Sequence, residues 1–244
     1  MLVEFIKNIL YNGFRKGRSY NMTNFKILNT QISIFFSDGI MNPSKYIKVL
    51  NNIFNNVFTN EILSLNIPGV PDDMPLVRYS SKSDDYSYDF ARKRLNFYLS
   101  FKSFGGEKEL DEYLTKIKLF IDNNLSVVTG ISRIGIACVY YLDEKDEDIS
   151  YWSKKYKFPF VTKNVSEISY TINNPFEEEG LNFNNIITLT NGRLKNSKVV
   201  PVVSVDINNT EVPNLSNEQI DYIMNIMDCY KLERLCEMFD NNGK

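Results

Sequence analysis

The run Val127–Leu142 constrains this fold more than any other stretch, because it is long, apolar and alternating. Ile134, Ile136, Cys138, Tyr140 and Leu142 share one face of an extended strand, and Gly135, Ala137 and Val139 share the other. Side chains alternate with a period of two along a strand, so this one offers water no polar face. A strand apolar on both sides belongs in the interior of a sheet, with neighbours along both edges.

Residues 25–36 supply one such neighbour. Ile32, Ile34 and Phe36 point one way, and Gln31, Ser33 and Phe35 the other, which predicts a strand with one buried face. Asn42-Pro43 reads as an N-cap followed by proline at the first helical position. Tyr46, Ile47, Leu50, Ile53, Phe54, Val57 and Phe58 then recur at helical spacing and predict a helix over 43–59. Three prolines and a glycine between Ile67 and Pro75 rule out helix or central strand there. Strands are expected at 76–82 and 94–104. The second turns Leu95, Phe97, Leu99 and Phe101 inward and Arg94, Asn96, Tyr98 and Lys102 outward. The polar stretch Ser83–Arg92 reads as a hairpin tip or irregular connection. After Gly105-Gly106, a second amphipathic helix follows from Leu110, Tyr113, Leu114, Ile117, Phe120 and Ile121. Glu107, Glu109 and Asp111 lie in its first turn, where the helix dipole favours carboxylates.

The order β-α-β-β-α-β over residues 23–145 is the ferredoxin-like pattern of an α+β fold, with two helices on one face of an antiparallel sheet. Residues 1–22 carry a helical stripe of Leu2, Phe5, Ile6, Ile9, Leu10 and Phe14, expected to dock on the domain rather than on a membrane or a partner. Residues 146–244 read as a β-rich half. A short helix is expected at 149–156, with strands near 165–173, 183–191 and 199–208. Ser216 and Gln219 form a capping box for a closing helix over 217–239. No sequence repeat relates the halves; the second extends or duplicates the first sheet, and all three segments fit one continuous domain.

Composition narrows the chemistry. The 244 residues contain no histidine, which removes the commonest general base, the commonest zinc ligand and the physiological pH switch together. Three scattered cysteines, Cys138, Cys229 and Cys236, make neither a disulfide framework nor a zinc site, and imply a reducing, cytoplasmic setting. A net charge of −2 and a pI near 5.4 argue against a mainly electrostatic nucleic-acid binder. No apolar run approaches the roughly 20 residues of a membrane span, and no cofactor motif is present.

Three clusters remain as candidates. Asp84, Asp85 and Asp89 could hold Mg²⁺ for nuclease or phosphoryl-transfer chemistry, although carboxylates gathered on one connection more often make a solvated turn. Arg92, Lys93 and Arg94, beside Tyr86, Tyr88 and Tyr98, could bind an anion, a protein surface or a nucleic-acid backbone. Arg133 leads into the apolar strand, where it needs a partner; a carboxylate on a neighbouring strand is expected. Gly135 is expected to admit a helix or an aromatic ring.

Two strand motifs carry a resemblance. One is Leu76-Val77-Arg78-Tyr79 after the proline-rich loop, continued by Tyr88–Phe97; the other is Gly130-Ile131-Ser132-Arg133-Ile134-Gly135-Ile136. With the closing helix they resemble a sporadically distributed family of uncharacterised bacterial proteins over about residues 25–239. Ala137-Cys138 stand here in place of that family's second arginine. The resemblance implies mobile-element or defence-system cargo and assigns no catalytic residue. The expected function is a non-enzymatic, cytoplasmic protein-binding component, regulatory or accessory, in phage–host conflict and without a cofactor. The alternatives are a metal-dependent nuclease and a nucleic-acid-binding regulator.

Overall fold

A computed structural model describes residues 25–38, 43–64, 69, 71–100, 107–125, 130–142, 169–193 and 199–228. The predicted N-terminal helix, the short helix at 149–156, the acidic run 143–148, Cys229 and Cys236 lie outside them. The described strands are β1 (Phe25–Phe36), β2 (Phe58–Ser64), β3 (Val77–Ser81), β4 (Tyr86–Phe90), β5 (Arg94–Ser100), β6 (Ile131–Leu142), β7 (Ser169–Asn173), β8 (Phe176–Glu178), β9 (Leu181–Arg193) and β10 (Val199–Asn209). The described helices are α1 (Pro43–Ile53), α2 (Glu107–Phe120, continued by a π-helical turn to Leu125) and α3 (Asn217–Asp228).

The strands form one antiparallel sheet in the order β2-β3-β4-β5-β1-β6-β10-β9-β7, with β8 also on β9. β6 is interior, flanked by β1 and β10, as its two apolar faces require. The ferredoxin-like reading counted two strands between its helices, whereas the structure has four. α1 ends early because Asn55 and Asn56 adopt positive φ (54° and 56°), a conformation asparagine tolerates better than most residues. The apolar stripe that predicts a helix to residue 59 instead delivers Phe58 to β2. Ser83–Arg92 likewise contains a strand, β4, behind a turn in which Asp84 takes φ 57°.

The two halves follow one plan. β1 pairs β5 through Asn29–Phe35, and β6 pairs β10 through Gly135–Tyr141. Outward from these lie β4 and β3 in one half and β9 and β7 in the other; each half closes on a helix, α2 or α3. β1 and β6 meet antiparallel at the centre, so an approximate two-fold axis runs through the sheet. The backbone pairing of the second half thus repeats that of the first in part; β2 and α1 have no counterpart among the described residues.

Every described helix packs on the same side of the sheet. Tyr46 and Leu50 of α1, Tyr113 and Ile117 of α2, and Ile220 and Ile223 of α3 join Ile32, Ile34, Phe97, Ile136, Val205 and Ile207 in one buried cluster. Burying each large side chain contributes about 1.5–3 kcal/mol. The capping box forms as the sequence predicts: Gln219 N–H donates to Ser216 Oγ at 3.2 Å, and Ser216 N–H donates to Gln219 Oε1 at 3.1 Å.

Candidate functional site

The opposite face of the sheet carries the side chains that alternate away from that core. Among the described residues no helix packs on it. On the first half of the sheet it carries a polar network crossing four strands. Asp89 of β4 is fully buried. It accepts from Arg78 Nη2 of β3 at 2.7 Å and from Asn96 Nδ2 of β5 at 2.7 Å. Asn96 Oδ1 accepts from Ser33 Oγ of β1 at 2.8 Å, and Ser33 Oγ accepts from Gln31 Nε2 at 3.0 Å. Tyr98 stands beside this carboxylate; burial first, then the charge of Asp89, pushes its phenol up to about 12. The Arg78 guanidinium lies 5.6 Å from the Tyr98 ring centre, and its pKa is raised by the Asp89 hydrogen bond. A buried carboxylate needs this many donors, because an unpaired one would cost several kcal/mol.

The second cluster lies at one end of the central strands. Phe35 of β1 pairs in register with Arg94 of β5 on one side and Arg133 of β6 on the other. Their guanidinium carbons lie 5.9 and 5.0 Å from the Phe35 ring centre. The carboxylate expected for Arg133 is absent among the described residues; the Phe35 ring takes its place. At the position related by the approximate two-fold axis, Tyr141 lies between Val202 and Lys26. There the chemistry is apolar: Tyr141, Val200 and Val202 cluster with Leu28 and Val139. The face thus has a cationic pole and an apolar pole, about 26 Å apart from Arg133 to Tyr141 along β6 at about 3.3 Å per residue. Likewise the Arg78–Asp89 pair has as its counterpart the in-register pair Thr171–Thr188, hydroxyl to hydroxyl at 3.0 Å.

The structure brings Arg94, Tyr98 and Arg133 onto this face. Arg92 and Lys93 instead lie in the β4–β5 turn, where they approach the Asp72 carboxylate at 3.9 and 3.8 Å. Such exposed pairs contribute at most about 1 kcal/mol. Asp84, Asp85 and Asp89 do not converge. Asp84 and Asp85 lie in the turn, with Asp84 accepting from Ser80 Oγ at 3.1 Å and the Asp85 N–H donating to Ser81 Oγ at 3.1 Å. Asp89 is committed to Arg78. Among the described residues no three carboxylate or cysteine groups gather as a metal site would need. Gly135 faces Asn208 rather than a helix or ring: a Cβ there would lie 3.1 Å from Asn208 Cβ. Sequence reasoning missed Phe35, Arg78, Asn96 and Ser33 as site residues. One signal was present, an aromatic residue on the polar side of an alternating strand.

No family model matches this chain, and no curated protein matches it. Among solved structures, Methanococcus jannaschii TBP aligns over 88% of this chain and 99% of its own, at 13% identity and a TM-score of 0.25. A likeness that low supports no conclusion about fold or function. No helix among the described residues is long and apolar enough to cross a membrane.

Proposed function

We propose that this chain is a non-enzymatic binding module, regulatory or accessory, that engages another protein through the helix-free face of its sheet. One observation carries the reading: the composition of that face. It holds Arg78, Arg94 and Arg133 but a single lysine, Lys26, among the described residues, in a chain with 20 lysines and eight arginines. Tyr98, Tyr141, asparagine, serine and threonine fill much of the rest. Protein interfaces are enriched in arginine and aromatic residues and depleted in lysine and glutamate. A phosphate-backbone reader draws on a basic excess, whereas this face also carries Asp89 and Asp206. The resemblance stated above extends the reading to a cytoplasmic role in phage–host conflict.

The test is recovery of the tagged chain from its native cells with its stable complex, followed by substitution. Thr188→Arg and Ser204→Arg, both on the helix-free face, are expected to abolish the complex. Thr115→Arg, on the outer side of α2, is expected to leave it intact. A complex that survives the first two and is lost with the third would place the interface on the helices and refute the reading.

A further inference from the structure

We propose that Arg94 and Arg133 form a cationic clamp around Phe35, and that an aspartate or glutamate side chain of the partner protein docks against it. This deepens the proposed function and rests on it. Two guanidiniums hang from strands on either side of β1, so their backbones stand about 10 Å apart. Phe35 between them holds both through its ring face, which attracts cations. The arrangement is charged but locally uncompensated. Arg133 makes no ion pair or hydrogen bond with any described residue, and the Nε–H of both arginines is shielded from water without a partner. Arg94 uses one donor on the Asp73 carbonyl at 3.0 Å, which fixes its direction and leaves its other donors. An unpaired, partly desolvated guanidinium is costly to hold, and a carboxylate arriving with the partner offsets that cost. The planar forks of arginine suit a carboxylate better than lysine would.

A single carboxylate fits better than a nucleic-acid backbone. Asp72, its side chain 55% exposed, stands beside Arg92 and Lys93, one or two residues along the chain from Arg94. It would repel a polymer that carries a charge at every step. Moving along the face, the surface turns polar and then apolar, with no second cationic cluster among the described residues to follow a backbone.

The test uses the full chain and two labelled probes, a short otherwise uncharged peptide carrying one glutamate and a poly-thymidine oligonucleotide, read by fluorescence anisotropy. Saturable peptide binding is expected. It should weaken about tenfold or more in Arg133→Gln and in Arg94→Gln, as loss of a charge-assisted bidentate contact predicts. Arg133→Lys should also weaken it, since charge is kept and the fork is lost, while thermal melting confirms that each variant is folded. Lys108→Gln, on exposed α2, should change nothing. Absence of peptide binding, or binding indifferent to Arg133→Gln, would overturn the clamp. Tighter oligonucleotide binding that is lost in Arg133→Gln would overturn it in favour of nucleic acid. A native complex lost in Thr188→Arg but unaffected by Arg133→Gln would remove the clamp and leave the protein-binding face standing.

Discussion

Replacing Asp89 with alanine tests the polar network at its hub. The carboxylate is buried and satisfies Arg78 and Asn96 at once. Breaking a buried pair by removing one partner costs about 3–5 kcal/mol when the remaining charge stays buried. Here the Arg78 side chain is 40% exposed and can rehydrate, so the loss falls to about 2 kcal/mol. The orphaned Asn96 amide adds about 1 kcal/mol. A total near 3 kcal/mol is a sizeable share of the roughly 5–15 kcal/mol that stabilises a folded protein. For a chain of this size it corresponds to a fall in Tm of about 6–12 °C. Urea unfolding followed by circular dichroism reads it directly, as a lower midpoint at unchanged slope. The companion variant removes both charges: Asp89→Leu with Arg78→Met should recover a substantial part of the stability lost in Asp89→Leu alone, because no charge is then stranded. A cost below about 1 kcal/mol for Asp89→Ala, or a double variant no better than Asp89→Leu, would refute the reasoning.

Alkaline titration should destabilise the fold. The Tyr98 phenol, at about 12 when folded against about 10 when unfolded, holds its proton better in the native state, so its contribution is complete below pH 10 and is lost between pH 10 and 12. Tyrosinate absorbance should show this late titration, and Asp89→Asn should bring it earlier by removing the neighbouring negative charge. Ser216→Ala should cost about 1 kcal/mol in chemical unfolding through loss of the α3 cap, and no measurable change would refute a formed capping box. Ile34→Ala, at a fully buried site on β1, should cost about 2–5 kcal/mol in the same assay. Gly192→Ala places a Cβ 2.7 Å from Val202 Cγ2 and should cost about 1–3 kcal/mol, with wild-type stability as the contrary result.

The elements legible in the sequence are those whose pattern answers to one buried face. β1 is legible from Ile32, Ile34 and Phe36, and β6 from apolar residues on both sides; the N-terminus of α3 is legible from Ser216 and Gln219. β2 was hidden because Phe54 and Phe58 stand four apart, as a helix requires, while the break between them rests on the backbone of Asn55 and Asn56. β4 was hidden by the polar residues around it, although Tyr86, Tyr88 and Phe90 alternate as a strand should. The site was legible only in part. Arg94, Tyr98 and Arg133 stand out as charged or polar positions in apolar strands. Their company does not, because Arg78, Asp89, Asn96 and Ser33 become neighbours only once β3, β4, β5 and β1 lie side by side.

The same division explains why the two-fold plan leaves no trace in the sequence. The core side of each strand asks only for apolar residues of suitable volume, and many combinations satisfy it. Ile34 and Tyr140 can thus hold corresponding positions without resembling each other, both being fully buried. The helix-free face is bound by no such demand. Equivalent backbone pairs there hold Arg78 with Asp89 in one half and Thr171 with Thr188 in the other. Phe35 stands between arginines where Tyr141 stands between a valine and a lysine. Folding does not require this difference, since the backbone pairing is the same in both halves. The buried charge of Asp89 and the uncompensated charge of Arg133 both work against stability unless matched. Asp89, matched by Arg78, is held by the fold itself; under the proposed function the unmatched Arg133 is held for what the face meets.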